Sequence, residues 1–177
     1  MERVKDHGPI RQIGFIVRDI DAAMRSWVAS GVGPFFVLRR IEQSADYRGT
    51  PCTVTLSVAF ANSGDLQVEL IQQHGDTPSI YREFLDAGHE GFNQIAYWTD
   101  DLAATMATVP WPVVWSGGGE GSTGYAYVVP GDGVAAPVPI IEFMQNTPAT
   151  QGLAHLVRTA AAAWDGSDPI RELGRPT

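Results

Sequence analysis

Residues Gln94–Met106 read QIAYWTDDLAATM and match an earlier stretch, Gln12–Met24, which reads QIGFIVRDIDAAM. At a constant offset of 82 residues, the two stretches share a leading Gln-Ile pair, an aspartate, an alanine and a final methionine. Each begins as a short apolar strand and continues, after the shared aspartate, with the apolar spacing of a helix. Because a repeat at a fixed offset indicates a repeated structural unit, the sequence predicts two copies of one module.

The elements around this repeat predict the limits of the modules. In each copy the strand and helix are followed by three more strands, so each module has the order βαβββ and the fold class is α+β. We predict a single domain over residues 1–177. Its parts are a first module at 9–73, a linker helix at 74–90, a second module at 91–146, and a C-terminal helix and tail at 147–177.

Four segments outside the regular elements carry specific expectations. Glu42–Thr50 is predicted to be a polar loop, and Asp165–Thr177 a loosely packed arm. The glycine-rich segment Gly117–Gly121 lacks the Lys-Ser/Thr pair of a phosphate-binding loop, so no nucleotide cofactor is expected. A mobile lid over a cleft is the preferred interpretation of that segment. Pro130–Pro137, rich in proline and glycine, is predicted to be another loop.

Composition and charge limit the class of protein. The chain has 44% hydrophobic and 18% charged residues, as in globular proteins, and a formal charge of −8. This negative charge disfavours nucleic acid and anionic membranes as partners, so a small molecule is the expected ligand. Cys52 is the only cysteine, so neither an intrachain disulfide nor a thiolate metal cluster is expected. Without a signal peptide or a long apolar run, the expected location is the cytoplasm.

The alternation of side chains along strands predicts which polar residues face the same side. Each module contributes one glutamine from its first strand and one glutamate from its last. These are Gln12 and Glu69 in the first module, and Gln94 and Glu142 in the second. Polar side chains inside apolar strands are costly to bury without partners. The four residues are therefore the candidate site.

The repeat and the two glutamate strands resemble the vicinal oxygen chelate superfamily, which includes glyoxalases, bleomycin-resistance proteins and extradiol dioxygenases. The resemblance covers residues 10–145 and rests on Ile13–Ile20, on Gln94–Tyr97 and on the glutamate strands. It implies paired modules that form a curved, eight-stranded open barrel around one cleft. It is nearest to glyoxalase-like proteins and methylmalonyl-CoA epimerases, among whose relatives homodimers are common. In this resemblance the four metal positions fall on Gln12, Glu69, Gln94 and Glu142.

The residue types at two of these positions depart from the family pattern. Position 94 is usually histidine in the metal enzymes, and position 12 is histidine in epimerases and dioxygenases but glutamine in glyoxalase I. Two carboxylates and two amide oxygens form a hard, all-oxygen ligand set, so Mg²⁺, Mn²⁺, Ca²⁺ or Co²⁺ is expected ahead of Zn²⁺. A 2-His-1-carboxylate iron site is not available, which disfavours dioxygenase chemistry.

Three functions stay open on these residues. A metal-dependent isomerase or lyase of glyoxalase or epimerase type would stabilise an enediolate while Glu69 or Glu142 moves a proton α to a carbonyl. A metal-free enzyme would use the same glutamates as base and acid, one of them with a raised pKa. The alternative is a non-catalytic protein that sequesters or senses a small molecule and keeps a vestigial metal site. Further candidates for the substrate pocket are Trp98, Tyr125, His74 and His89.

Overall fold

The computed structural model describes residues 7–118, 124–131 and 140–174. Most of the predicted glycine-rich lid and of the Pro130–Pro137 loop lies outside these residues. Within them the chain forms nine strands and four helices. In chain order these are β1 (Gln12–Ile16), α1 (Ile20–Ala29), β2 (Phe35–Tyr47), β3 (Thr50–Ser63), β4 (Leu66–His74), α2 (Ile80–Asp86), β5 (Gly91–Thr99), α3 (Leu102–Met106), β6 (Val113–Gly117), β7 (Tyr125–Val128), β8 (Ile140–Gln145), α4 (Pro148–Ala162) and β9 (Ile170–Glu172). None of these described helices is both long and apolar enough to cross a bilayer.

Eight of the strands form a single ring. Their order is β3–β4–β1–β5–β8–β7–β6–β2, and β9 lies outside the ring against β2. Each half follows the βαβββ order, which confirms the predicted α+β class and the paired modules. The ring is closed, whereas an open barrel was expected, because β2 is long enough to pair with both β3 and β6.

The two modules join along their first strands. β1 runs antiparallel to β5, and each of these strands runs parallel to the last strand of its own module, β4 and β8 respectively. The four strands that carry the candidate glutamines and glutamates are therefore neighbours, in the order β4–β1–β5–β8. The duplication brings the polar positions of both halves onto one stretch of the barrel wall.

The repeated aspartates begin the two equivalent helices. Asp19 accepts a hydrogen bond from the backbone N–H of Ala22 at 3.0 Å, and Asp101 accepts one from Ala104 at 2.9 Å. Both aspartates have extended backbone conformations, with φ of −136° and −141°. Because a side-chain oxygen here satisfies an N–H group that the helix leaves unpaired, the same residue type stabilises both helix starts.

The hydrophobic core lies on both faces of the barrel wall. On the outer face, Ile20 and Met24 of α1 pack against Val68 and Leu70 of β4. Strand alternation then directs Glu69, between those two residues, to the inner face. The inner face is itself mostly apolar and holds a second buried cluster that includes Leu56, Trp115 and Tyr127. The candidate glutamate thus projects into an apolar interior.

The hairpin of β2 and β3 corrects one prediction. Glu42–Tyr47 continues the strand, and only Arg48 and Gly49, with φ of 50° and 87°, form the turn. The polar residues of this segment suggested a loop, but it is a strand because it has strand partners on both sides. Ala45 pairs with Cys52 of β3 and with Gly117 of β6. The ladder hydrogen bonds satisfy the backbone while polar side chains face solvent.

The structure also corrects the prediction of a loosely packed C-terminal arm. Residues 170–172 form β9, which runs parallel to the start of β2. The guanidinium of Arg39 bonds both Asp21 and Glu172, at 2.8 and 2.7 Å, and so links α1, β2 and β9. Over its described part the segment is held to the barrel and is not a loosely packed arm.

Candidate active site

A cavity of about 1020 Å³ fills the interior of the barrel. Glu69 of β4, Glu142 of β8, and Tyr125 and Tyr127 of β7 line it. The remaining wall is mainly apolar and includes Leu38, Ile41, Leu56, Val58, Phe60, Ile71 and Met144. This cavity is called the cleft below. Glu69 and Glu142, which lie among its apolar residues, require a chemical explanation because carboxyl groups are costly to bury.

A glycine on β1 allows the side chain of Gln94 to reach the first module. The register places Gly14 opposite both Gln94 and Glu69. A Cβ atom built on Gly14 would lie 2.7 Å from Cγ of Gln94, and nearer still to its amide group. Gln94, which is completely buried, therefore occupies the space that a side chain at position 14 would take.

This contact leads to a first prediction. Gly14→Ala should displace the Gln94 amide and destabilise the protein by about 1–3 kcal/mol, since overfilling a packed interior forces neighbouring groups to move. The free energy of unfolding in urea measures the loss. The side-chain amide resonances of Gln94 in an ¹H–¹⁵N NMR spectrum report its displacement.

Gly152→Ala is the matched control. Gly152 lies within α4, and a Cβ atom there would meet nothing within 4 Å. Alanine should stabilise the helix by about 0.5–1 kcal/mol at such a position. Unchanged Gln94 resonances and wild-type stability in Gly14→Ala would show that the close contact is not a constraint.

Hydrogen bonds connect Gln94 to the residues around it. Its Nε2 donates to the hydroxyl of Tyr127 at 2.9 Å and to Oε2 of Glu69 at 3.3 Å. The hydroxyls of Tyr127 and Tyr81 lie 3.4 Å apart. Burial, followed by the negative charge of Glu142, raises the pKa of Tyr127 well above its usual value, so its hydroxyl stays protonated.

The two carboxyl groups have raised pKa values. Burial raises the pKa of Glu142 to about 8, and hydrogen bonds from Gln94 and Tyr127 only partly offset this. Burial and the nearby charge of Glu142 raise the pKa of Glu69, against a smaller opposite effect of Gln94. Since two such carboxyl groups cannot both ionise cheaply, the pair holds a proton near neutral pH.

The structure brings three of the four predicted residues together and turns the fourth away. Gln12 lies on the same face of the wall, but its Nε2 donates to Oε1 of Gln67 at 2.7 Å. The register places Gln12 beside Ala96, just as it places Gln94 beside Gly14. Position 96 carries a methyl group where position 14 has none, and Gln12 does not make the equivalent crossing.

The four further candidates for the substrate pocket lie in different places. Tyr125 lines the cleft and bonds Gln43, whereas Trp98 lines a second cavity near α4. His74 bonds Ser57 through Nε2 at 2.8 Å and is outside the cleft lining. His89 is exposed, with its ring 5.3 Å from that of Phe84.

Sequence reasoning did not single out Tyr127 and Tyr81. A signal existed for Tyr127, since it shares a strand and a face with Tyr125 and sits opposite Glu142 in the register. For Tyr81 there was none, because its place in the cleft depends on how α2 packs beneath the barrel.

Three side chains at the cleft offer oxygen atoms of the kind that bind divalent metals. Oε1 of Gln94 and Oε2 of Glu142 are buried, and neither has a hydrogen-bond donor in the described part of the chain. With the carboxylate of Glu69 they form a set of hard oxygen ligands, which fits Mg²⁺ or Mn²⁺ better than Zn²⁺. No cluster of three or more His, Cys, Asp or Glu residues suited to a metal occurs among the described residues.

The chain matches one protein family in sequence and resembles several solved proteins in structure. The profile of the Glyoxalase/Bleomycin resistance protein/Dioxygenase superfamily matches residues 11–129. No curated protein matches the chain. Methylmalonyl-CoA epimerase from Mycobacterium tuberculosis is similar in structure, with a TM-score of 0.54 and 19% identity over 81% of this chain and 91% of that one.

Two further solved structures show the same similarity. A variant of Streptomyces coelicolor methylmalonyl-CoA epimerase in complex with 2-nitronate-propionyl-CoA has a TM-score of 0.55 and 18% identity, over 79% of this chain and 95% of that one. A hypothetical protein from Bacillus halodurans C-125 has a TM-score of 0.52 and 17% identity, over 78% of this chain and 94% of that one. At these identities the likeness concerns the fold.

Proposed function

This chain belongs to the Glyoxalase/Bleomycin resistance protein/Dioxygenase superfamily, and from that premise we propose that it is an isomerase or lyase that moves a proton α to a carbonyl group. The proposed substrate is a small molecule, neutral and mainly apolar near the reacting carbon. The observation that carries this proposal is the pair Glu69 and Glu142, which share an apolar cleft and have raised pKa values. Carboxyl groups tuned in this way suit proton transfer near neutral pH.

The pair supplies both a base and an acid. With one proton between them, the ionised carboxylate removes the α-proton, and the electrons of the broken C–H bond move into the carbonyl to form an enolate. The protonated carboxyl group returns a proton to carbon. Gln94 touches Glu69 and Tyr127, so it holds one member of the pair in place relative to the tyrosine hydroxyl. The apolar wall keeps water from competing for the proton.

A divalent metal would fit the same residues. Glu69, Oε1 of Gln94 and Oε2 of Glu142 would hold it, and it would supply Lewis-acid stabilisation of the enolate oxygen. All of these donors are hard oxygen atoms, so the proposed preference is for Mg²⁺, Mn²⁺ or Co²⁺ over Zn²⁺. Calorimetric titration of the protein with each ion, beside Glu142→Gln, measures this preference independently of activity.

The charges of the cleft support a neutral substrate. Its described lining contains four carboxylates, Glu42, Asp46, Glu69 and Glu142, and no lysine, arginine or histidine. The segments 119–123 and 132–139 contain no basic residue in their sequence either. An anionic group bound beside Glu142 would meet like charges without a cation to compensate for them.

The experiment is a panel of neutral α-hydroxyketones, α-ketoaldehyde hemithioacetals and short-chain thioesters, incubated in D₂O. NMR measures the exchange of the α-proton for deuterium. The proposal expects exchange with at least one compound that also binds. Binding of several compounds without exchange in any would contradict it.

The second candidate is a non-catalytic protein that sequesters or senses an apolar molecule. Its supporting observation is that the two amides Gln12 and Gln94 stand where the resemblance to epimerases implies imidazole ligands, and that Gln12 bonds Gln67 and does not line the large, mainly apolar cleft. This protein would bind equally well before and after Glu142→Gln and would exchange no proton. The same panel therefore separates the two functions.

A further inference from the structure

A second cavity, of about 450 Å³, is lined by Gln67, the hydrogen-bond partner of Gln12, and shares no described lining residue with the cleft. We propose that this cavity, called the anion pocket below, binds a small organic or inorganic oxyanion, a carboxylate or a phosphate. It lies between α4 and the strands β3, β4 and β5, beside the residues that precede β1. Its lining includes Arg11, Asn62, Gln67, Trp98, His155 and Arg158.

The charge of the anion pocket is opposite to that of the cleft. Two arginines line it, together with two histidines, and Asp65 is the one carboxylate in the described lining. The chain as a whole carries a formal charge of −8. A local excess of cations on an acidic protein concentrates anions at that place.

Arg11 is held in place without a charged partner among residues 7–118, 124–131 and 140–174. Its guanidinium lies over the ring of Trp98, 4.9 Å from the ring centroid. Its Nε atom is buried, and so is Nε1 of Trp98, and neither has an acceptor among the described residues. N–H donors without an acceptor are costly, and an oxyanion supplies the acceptors that the wall of the anion pocket lacks.

Arg158 is the second cation and is available to a ligand. Its Nη1 lies 3.5 Å from Oδ1 of Asp65, whose side chain is 91% exposed. Such a solvent-exposed ion pair contributes little energy, so a bound anion can replace it. Arg158 comes from α4 and Arg11 directly precedes β1, so the two cations approach the anion pocket from different parts of the chain.

Buried amides complete the wall. Gln67 and Asn62 are only 4% and 7% exposed. Oδ1 of Asn62 has no donor within the described chain, and it suits the hydroxyl of a hydrogen phosphate or a hydroxy acid. Two arginines for charge and amides for orientation are the usual means of recognising small oxyanions.

The experiment titrates the full chain with inorganic phosphate and, separately, with succinate at low ionic strength. The ¹H–¹⁵N resonance of the Trp98 indole, assigned through Trp98→Phe, is the readout because that N–H group would gain an acceptor. Saturable shifts with either anion support the proposal and identify the phosphate or carboxylate source. Arg11→Gln and Arg158→Gln should each weaken binding about tenfold, the loss expected for one charge-assisted hydrogen bond.

Arg25→Gln is the control. Arg25 is exposed on α1, so this substitution removes the same charge outside the anion pocket. Equal weakening by Arg25→Gln, or no saturable shift with either anion, would overturn the proposal. Glu142→Gln should leave anion affinity unchanged, so failure of the proposed proton transfer and failure of the anion pocket are distinguishable.

Discussion

Glu142→Gln is expected to lower the rate of α-proton exchange by about 10²–10⁴-fold, the usual contribution of a positioned acid or base. Glutamine has nearly the same shape but neither takes nor gives a proton at carbon. Exchange is measured by NMR with the compound of the panel that wild type turns over fastest. Affinity for that compound should change little.

Glu69→Gln should cause a loss of similar size, since the reaction uses both members of the pair. Glu90→Gln is the matched control, because Glu90 is a surface carboxylate beside Arg18, with Nε to Oε2 at 3.7 Å. Full activity in either cleft variant would contradict the assignment of acid and base. If ionised Glu142 is the base, activity of wild type should rise with pH through about 8, the pKa of that group.

The stability of the protein should fall as pH rises from about 4.5 to about 8. The pKa of Glu142 is raised from an ordinary 4.5 to about 8 by burial, so folding favours its protonated form. This contribution is fully present below the unfolded-state pKa and is lost as pH rises through the folded-state pKa. At 1.36 kcal/mol for each pKa unit, the loss is on the order of 3–5 kcal/mol.

Urea unfolding at about pH 5 and about pH 9 measures this difference. Glu142→Gln cannot ionise, so its free energy of unfolding should change less between the two pH values and should exceed that of wild type at the higher one. Glu90→Gln should follow wild type. An identical pH dependence in wild type and Glu142→Gln would show that the carboxyl group ionises in the folded protein without cost.

The overall architecture was predictable because its signals are local and repeated. Asp19 and Asp101 each cap a helix after a short apolar strand, so the 82-residue offset identified the modules before any pairing was known. Strand alternation placed Glu69 and Glu142 on the inner face for the same reason: the direction of a side chain follows from its position along the strand.

The features that the sequence did not predict depend on partners that are distant in sequence. The amide of Gln12 is oriented by Gln67, 55 residues away. The strand at Glu42–Tyr47 exists because β6 pairs with it, and β9 because the start of β2 is open on one side. Neither of these strand pairings can be recognised from the local pattern of polar and apolar residues.

The pairing of Gln94 with Gly14, and of Gln12 with Ala96, has a stereochemical consequence. If the two halves were exact duplicates, they would place equivalent groups on the two sides of a bound planar enolate. The two halves are not equivalent here: Gln94 reaches across to Glu69 of the first module, whereas Gln12 bonds Gln67 within its own module. A molecule bound there would meet different neighbours on its two faces, which is what an enzyme needs in order to distinguish mirror-image carbon centres.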